Sequence, residues 1–388
     1  MQKKFLLSFI VIAVIILIFS IFNKGKIEKE YEKIRIGLYG NPIDESTQII
    51  NNAFFGIDNS GNKECGKQIS KAIEYANKNN IEYIKLEKGT YLIDSTTEEK
   101  SIRMQDNIVL DLNTSTVIQE ANSSPSYSII KIENNKNVTI KNGIIKGDKN
   151  QHDYDSVNSS HQWGIGIDIR GSKDIMLDNI EIYETTGDGV YVANIQGSNK
   201  IYVENVTIKN MNIHDCRRQG ISIISGDNIN IYNNEIHNIK GNSPQAAIDL
   251  ESNYCNDNTE KINNVKIHEN KLYDLGANVA IQLYRYVYNV DIYENEITGN
   301  IKGYDGKEKI NIYENKIKNS IISFNITEKY SQAGHFVNEL NIHNNICDNS
   351  QIIIRNVNNA TIKNNVIDED KIKILENDYT EQQEVEYE

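Results

Sequence analysis

The chain of 388 residues carries a formal net charge of −13, with 54 acidic against 41 basic side chains, so it lacks the basic excess that phosphate neutralisation requires, and nucleic acid is excluded as a partner. Its four cysteines, Cys65, Cys216, Cys255 and Cys347, have neither metal-ligand spacing nor the density of a disulfide scaffold and read as free, mostly buried thiols. With three prolines and no Pro-rich linker, one long domain is expected.

The first four residues include Lys3 and Lys4, and residues 5–22 form an apolar run interrupted only by Ser8 and Ser20. As a helix this run reaches about 27 Å, enough to cross a hydrocarbon core. Lys3 and Lys4 stand without acids, whereas Lys24, Lys26, Lys29 and Lys33 are diluted by Glu28, Glu30 and Glu32, so the positive-inside bias puts the body on the extracytoplasmic side. Ser20-Ile21-Phe22-Asn23 offers no small-residue cleavage site and no cysteine to lipidate. An uncleaved signal anchor is the expectation, with secretion the outcome if the segment is cut. Residues 23–45 read as a linker, 46–375 as the main domain and 376–388 as an acidic, solvated tail.

Within 68–79, Ile69, Ala72, Ile73 and Ala76 share one helical face, which predicts a short amphipathic helix capping one end of the domain. From about residue 107 a phrase recurs. Ile231-Tyr232-Asn233-Asn234-Glu235-Ile236 matches Ile267-His268-Glu269-Asn270-Lys271-Leu272, Ile292-Tyr293-Glu294-Asn295-Glu296-Ile297 and Ile312-Tyr313-Glu314-Asn315-Lys316-Ile317. Anchoring on the last apolar residue gives Ile145, Ile182, Ile213, Ile236, Leu272, Ile297, Ile317, Cys347 and Ile367, spaced by 20 to 37 residues. The shortest spacing sets one coil of short strands, stacked about 4.8 Å apart, and longer spacings are coils with inserted loops. An Asn at one fixed place per turn tolerates left-handed backbone and bonds its copies above and below. The expected fold is therefore all-β, a parallel β-helix in which no coil buries its apolar face alone. Cys347 stands where other coils have Ile and reads as a core substitute.

Five strands align through their apolar positions: Ile167-Asp168-Ile169-Arg170, Val190-Tyr191-Val192, Ile221-Ser222-Ile223, Ile248-Asp249-Leu250-Glu251 and Ile281-Gln282-Leu283-Tyr284-Arg285. Residues between apolar positions should face solvent, giving one outward ladder of Asp168, Tyr191, Ser222, Asp249 and Gln282 and a second with Arg170, Glu251 and Tyr284. Asp188, Arg217 and Arg218 should lie at the bends entering these strands. Carboxylates, arginines and tyrosines on one sheet face suit a sugar-binding groove, because rings cover sugar faces and charges fix hydroxyls or carboxylates; a charge-paired structural face is the alternative. Gly187-Asp188-Gly189 permits a sharp bend and close ligand approach. The polar insertion around Gly147 to Gly164 holds the single Trp163 and also His152 and His161, and reads either as a substrate lip or as a loop pinned by Trp163.

The candidate catalytic set is Asp188, Asp249, Glu251 and Arg218. The candidate substrate-binding set is His161, Trp163, Asp168, Arg170, Tyr191, Arg217, Gln282, Tyr284 and Arg285. No three His or Cys have ligand spacing, so no transition metal and no organic cofactor is expected; Ca2+ held by Asp and Glu is the metal chemistry left open.

The segments Ile57-Asp58-Asn59-Ser60-Gly61, Lys88-Gly89-Thr90-Tyr91-Leu92-Ile93, Arg217-Arg218-Gln219-Gly220-Ile221-Ser222 and Ala247-Ile248-Asp249-Leu250-Glu251 resemble the pectate-lyase-like superfamily, over about residues 46–370. The resemblance implies a right-handed parallel β-helix and a carbohydrate-active branch containing lyases, hydrolases and uronate epimerases. The Asn-Thr-Asp, Gly-His-Gly and Arg-Ile-Lys signatures of polygalacturonases are absent, as is the Asp-Pro-His of alginate epimerases, so no catalytic residue is carried over. Three readings stay open: an inverting hydrolase using two carboxylates, a lyase or epimerase in which arginines neutralise a uronate, and a non-catalytic surface protein that binds or scaffolds glycans.

Overall fold

The computed structural model describes residues 25–195, 202–253, 262–304, 307–325, 337–375 and 384–387. The anchor proposed at 5–22 lies outside them; among the described residues no helix is long and apolar enough to cross a membrane. Residues 25–39, read as linker, are helical.

The repeat folds as stacked coils whose strands pair in parallel. One sheet has 11 strands and the other 21 among the described residues. The larger sheet turns a corner: strand Lys173–Tyr183 pairs through Ile175 with Val206 and through Ile182 with Ile213, on two successive strands of the next coil. The anchors from Ile145 to Cys347 form one column, which Val117 extends by one coil: Val117, Ile145, Ile182, Ile213, Ile236, Leu272, Ile297, Ile317 and Cys347 are each the in-register partner of the next, while the last anchor, Ile367, is only partly buried. Every member of the column is buried. β-Branched side chains dominate because a pleated stack offers each one a flat apolar neighbour above and below.

Two asparagine roles that the sequence reading merged are divided between adjacent residues. Asn234, Asn270, Asn295, Asn315, Asn345 and Asn365 form a ladder in which each Nδ2 donates to the next Oδ1 at 2.9 Å. The left-handed backbone falls on the preceding residue: Asn233, Glu269, Glu294, Glu314, Asn344 and Asn364 have φ between 53° and 57°. A glutamate there is strained locally and is held by the buried ladder beside it. The second position of the phrase also stacks: Tyr232, His268, Tyr293, Tyr313 and His343 lie ring on ring at 4.9, 4.7, 5.0 and 5.2 Å.

The capping helix is present over Gly66–Lys78, with Ile69, Ala72, Ile73 and Ala76 buried. At the other end, Glu384–Tyr387, read from sequence as part of a solvated tail, pairs in parallel with Asn359–Lys363.

Candidate functional site

Strands Trp163–Arg170, Asp188–Ala193, Gln219–Ile223, Ala246–Glu251 and Val279–Tyr284 are consecutive neighbours in the 11-stranded sheet. Their register places Asp168, Tyr191, Ser222, Asp249 and Gln282 in one column, as expected. Glu251 pairs with Tyr284 in the parallel column beside it.

The expectation that this column faces solvent is corrected. Asp168, Tyr191, Ser222 and Asp249 are buried, because long side chains lie across the sheet. The Arg170 guanidinium sits 4.9 Å from the centre of the Tyr191 ring, and Trp163 meets that ring edge-on at 6.3 Å. Trp163 itself is 37% exposed and forms part of the outer surface.

Arg218 gathers the cluster. Its Nη1 donates to Asp188 Oδ2 at 2.7 Å and to Gln219 Oε1 at 2.6 Å, its Nη2 lies 3.8 Å from Glu251 Oε2, and its guanidinium covers the Trp163 ring at 5.2 Å. A guanidinium only donates, so Gln219 must present its oxygen to Arg218 and its amide nitrogen to Asp249 Oδ2. Gln282 Nε2 donates to Asp249 Oδ1 at 3.1 Å, and Ser222 Oγ donates to Asp188 Oδ2 at 2.8 Å. Asp188 Oδ1 and Arg218 Nε are buried without a hydrogen-bond partner.

Burial raises the Asp188 carboxyl to about 6, against the opposing pull of Arg218. Burial, reinforced by the negative charge of Glu251, lifts Asp249 well above the usual carboxylate range. Asp188 touches the guanidinium and Asp249 receives only amide hydrogens, so Asp249 is the carboxyl better suited to keep its proton. Burial also pushes the Tyr191 phenol up to about 12, with Arg170 opposing.

Of the residues singled out from sequence, Asp188, Arg218, Asp249, Glu251, Trp163, Tyr191 and Gln282 meet in this cluster. Arg170 is tied to Asp168 through Nε to Oδ1 at 2.9 Å. Tyr284 stands further along, under Arg285 at 4.6 Å and edge-on to Tyr304 at 6.0 Å. Two assignments are corrected. His161 is buried and bonds His152 and the Val157 carbonyl, so it faces the interior of its loop. Arg217 donates to the Ser160 and His161 carbonyls at 2.9 and 3.1 Å and lies over Tyr154, so it clasps the loop instead of the groove.

Gly187 is required by the fold, since a Cβ there would come within 2.2 Å of the Gln162 carbonyl; the close approach is between backbones. Gln219 was missed because period-two counting puts it in phase with inward Ile221. In fact Gly220 also points inward, where a Cβ would meet Ile236 and Ala247, so the alternation slips by one and Gln219 faces out with Ser222. A column of small residues, Gly189, Gly220 and Ala247, one at the same place in each of three neighbouring strands otherwise rich in Ile and Val, is the signal that exposes this slip.

A surface groove of ≈ 490 Å³ lies elsewhere, on the larger sheet between Lys271, Tyr273, Glu296, Lys316, Lys318 and Asp348. Its lysines face acids, Lys271 with Glu235 and Lys316 with Glu296, so it offers paired surface charge without a buried titratable group. No group of three or more His, Cys, Asp and Glu among the described residues has metal-holding geometry.

The family described as right handed beta helix region matches residues 77–253. That match covers less than half of the 388 residues, and the stacked, parallel-paired coils give the chain a parallel β-helix fold. The SPbeta prophage-derived uncharacterized protein YorA of Bacillus subtilis (strain 168) is 30% identical over 212 residues, 50% of this chain and 36% of the relative. The β-helix chain thus spans little more than a third of that curated relative's length. The A-module of mannuronan C-5 epimerase AlgE4 from Azotobacter vinelandii superposes with a TM-score of 0.57 at 14% identity, over 86% of this chain and 98% of its own. The tailspike protein gp49 of Acinetobacter baumannii bacteriophage Fri1, a capsular polysaccharide depolymerase, gives 0.55 at 12% identity, over 83% and 63%. At these identities the structural likeness concerns the fold.

Proposed function

We propose that this β-helix protein processes a polysaccharide on the extracytoplasmic side of a membrane, held there by residues 5–22, and that it cleaves by hydrolysis with inversion. The observation that carries this reading is the gathering of Asp188, Asp249 and Glu251 around one buried arginine, beside an exposed tryptophan. Asp249, raised by burial and by Glu251, supplies the proton to the leaving oxygen. Glu251 stands two residues along the same strand face, about 7 Å away by strand geometry, and its side chain reaches solvent. That spacing falls in the range of about 6.5 to 9.5 Å that leaves room for an attacking water. Trp163 offers an apolar surface for a sugar ring.

Hydrolysis is favoured over elimination by the state of the arginines. Arg218 is engaged by Asp188 and approaches Glu251, and Arg217 by two loop carbonyls, which leaves neither to neutralise a uronate carboxylate. The mannuronan epimerase and the capsular depolymerase support a glycan as substrate by analogy of fold. A second reading, glycan binding without turnover, draws on the complete burial of Asp188 and Asp249.

Incubation of the full-length chain with a panel of cell-surface and plant polysaccharides separates the readings. New reducing ends without absorbance of a new double bond support hydrolysis. A double bond indicates elimination, and retention of glycan without either product indicates binding alone.

A further inference from the structure

The insertion that carries the polar loop is closed by a buried chain of four groups that the proposed chemistry does not use. Asp148 Oδ1 accepts from the Tyr127 hydroxyl at 2.6 Å, and Oδ2 accepts from the Asn122 backbone N and Nδ2 at 3.2 and 3.0 Å. His152 Nδ1 lies 2.7 Å from Asp148 Oδ2, His152 Nε2 lies 2.8 Å from His161 Nδ1, and His161 Nε2 lies 2.7 Å from the Val157 carbonyl oxygen. The side chains of Asp148 and His152 are fully shielded from solvent and His161 is 1% exposed, so water does not complete any of these contacts.

Hydrogens can be counted without choosing tautomers. The Val157 carbonyl only accepts, so His161 Nε2 carries a hydrogen. The facing pair of ring nitrogens needs one more, and the contact between Asp148 and His152 needs a third. An ionised carboxylate with two neutral imidazoles supplies two. Removing the third sets two lone pairs against each other at 2.7 to 2.8 Å in one of the three contacts.

We propose that Asp148, His152 and His161 together hold one proton beyond that count, and that this proton latches residues 147–162 over the site as a pH-sensitive lip. The lip role rests on the functional reading above, because the loop leads directly into Trp163; the proton count does not. The charges facing the latch are mixed. Asp148, and Asp153 through its interaction with His152, favour the extra proton. Arg217, bonded to the His161 carbonyl and stacked on Tyr154, opposes it. Tyr127 donates to Asp148, and Tyr154 packs its ring 4.7 Å from His152 and 5.6 Å from His161. Lys149 on the same loop directs its ammonium to the Asp215 and Lys240 carbonyls, away from the latch.

The test follows the ring nitrogens of the 15N-histidine-labelled chain over a pH series from about pH 5 to about pH 9. Hydrogen-exchange protection of residues 147–162 is read on the same samples. The expected result is three hydrogens on the four nitrogens of His152 and His161 at the low end, lost together in one step, with loop protection factors falling about tenfold per pH unit beyond it. Two hydrogens on those nitrogens, with the 13C shift of the Asp148 carboxyl showing it ionised and the loop closed throughout, would overturn the count. Three hydrogens whose loss leaves protection unchanged would overturn the latch. Asp148→Asn removes the charge that retains the proton and is expected to leave the loop unprotected at every pH; if that variant does not fold, the wild-type titration alone decides. Absence of glycan turnover would bear on the hydrolase reading and leave this result standing.

Discussion

Asn315→Ala removes one rung from the middle of the buried ladder. In the wild type, Asn315 Oδ1 accepts from the Asn295 backbone N at 3.0 Å and from Asn295 Nδ2 at 2.9 Å, while its own Nδ2 reaches the Ile292 and Tyr313 carbonyls and Asn345 Oδ1. Some of these partners keep other bonds: Asn295 Nδ2 still donates to Ile267 and Tyr293, and Asn345 Oδ1 still accepts from the Asn315 backbone. The Asn295 N–H loses the bond Asn315 made to it, while Ile292 stays paired in the strand ladder, and Asn315 is fully buried. At about 1 to 3 kcal/mol for an unsatisfied buried group, the loss is about 2 kcal/mol. Asn338→Ala, on the exposed Asn358 to Asn338 to Glu308 series, should cost under about 1 kcal/mol. Urea denaturation followed by circular dichroism compares the two, and exchange of the Asn295 amide locates the damage. Equal midpoints for the two variants would refute the claim that the ladder holds the coils in register.

Stability should fall as pH rises from about 4 to about 6, because the folded state keeps a proton on Asp188, raised from 3.8 to about 6, that the unfolded chain releases. The difference amounts to about 3 kcal/mol, and Asp188→Asn should abolish that part of the urea-midpoint drift. Thiol alkylation mapped by peptide mass spectrometry should leave Cys65, Cys216 and Cys347 unmodified in the native state and label them in urea, since burial pushes their thiols up to about 12, 12 and 11. Trp163, the single tryptophan, should change its fluorescence when an oligosaccharide binds, and Trp163→Ala should weaken that binding roughly tenfold through loss of ring stacking.

The fold was legible because the anchors repeat at one chemical position. Every link from Ile145 to Cys347 read from the text is an observed register pair. The column of Asp168, Tyr191, Ser222, Asp249 and Gln282 followed from the same phase. Its burial did not, because alternation assigns a face and says nothing of what other side chains lay across it; Arg170, Arg218 and Trp163 supply that cover. The inward turn of His161 depends on a loop closing upon itself and has no periodic signature, whereas the slip that turns Gln219 outward is marked only by small residues, Gly189, Gly220 and Ala247, which a count of apolar alternation passes over.

The most direct test of the site as a hydrolytic centre is the rate of reducing-end release by Asp249→Asn against wild type, on whichever polysaccharide the full-length chain cleaves. A fall of about 10² to 10⁴-fold with unchanged circular dichroism is predicted, from loss of the proton donor. Release at the wild-type rate would contradict the assignment.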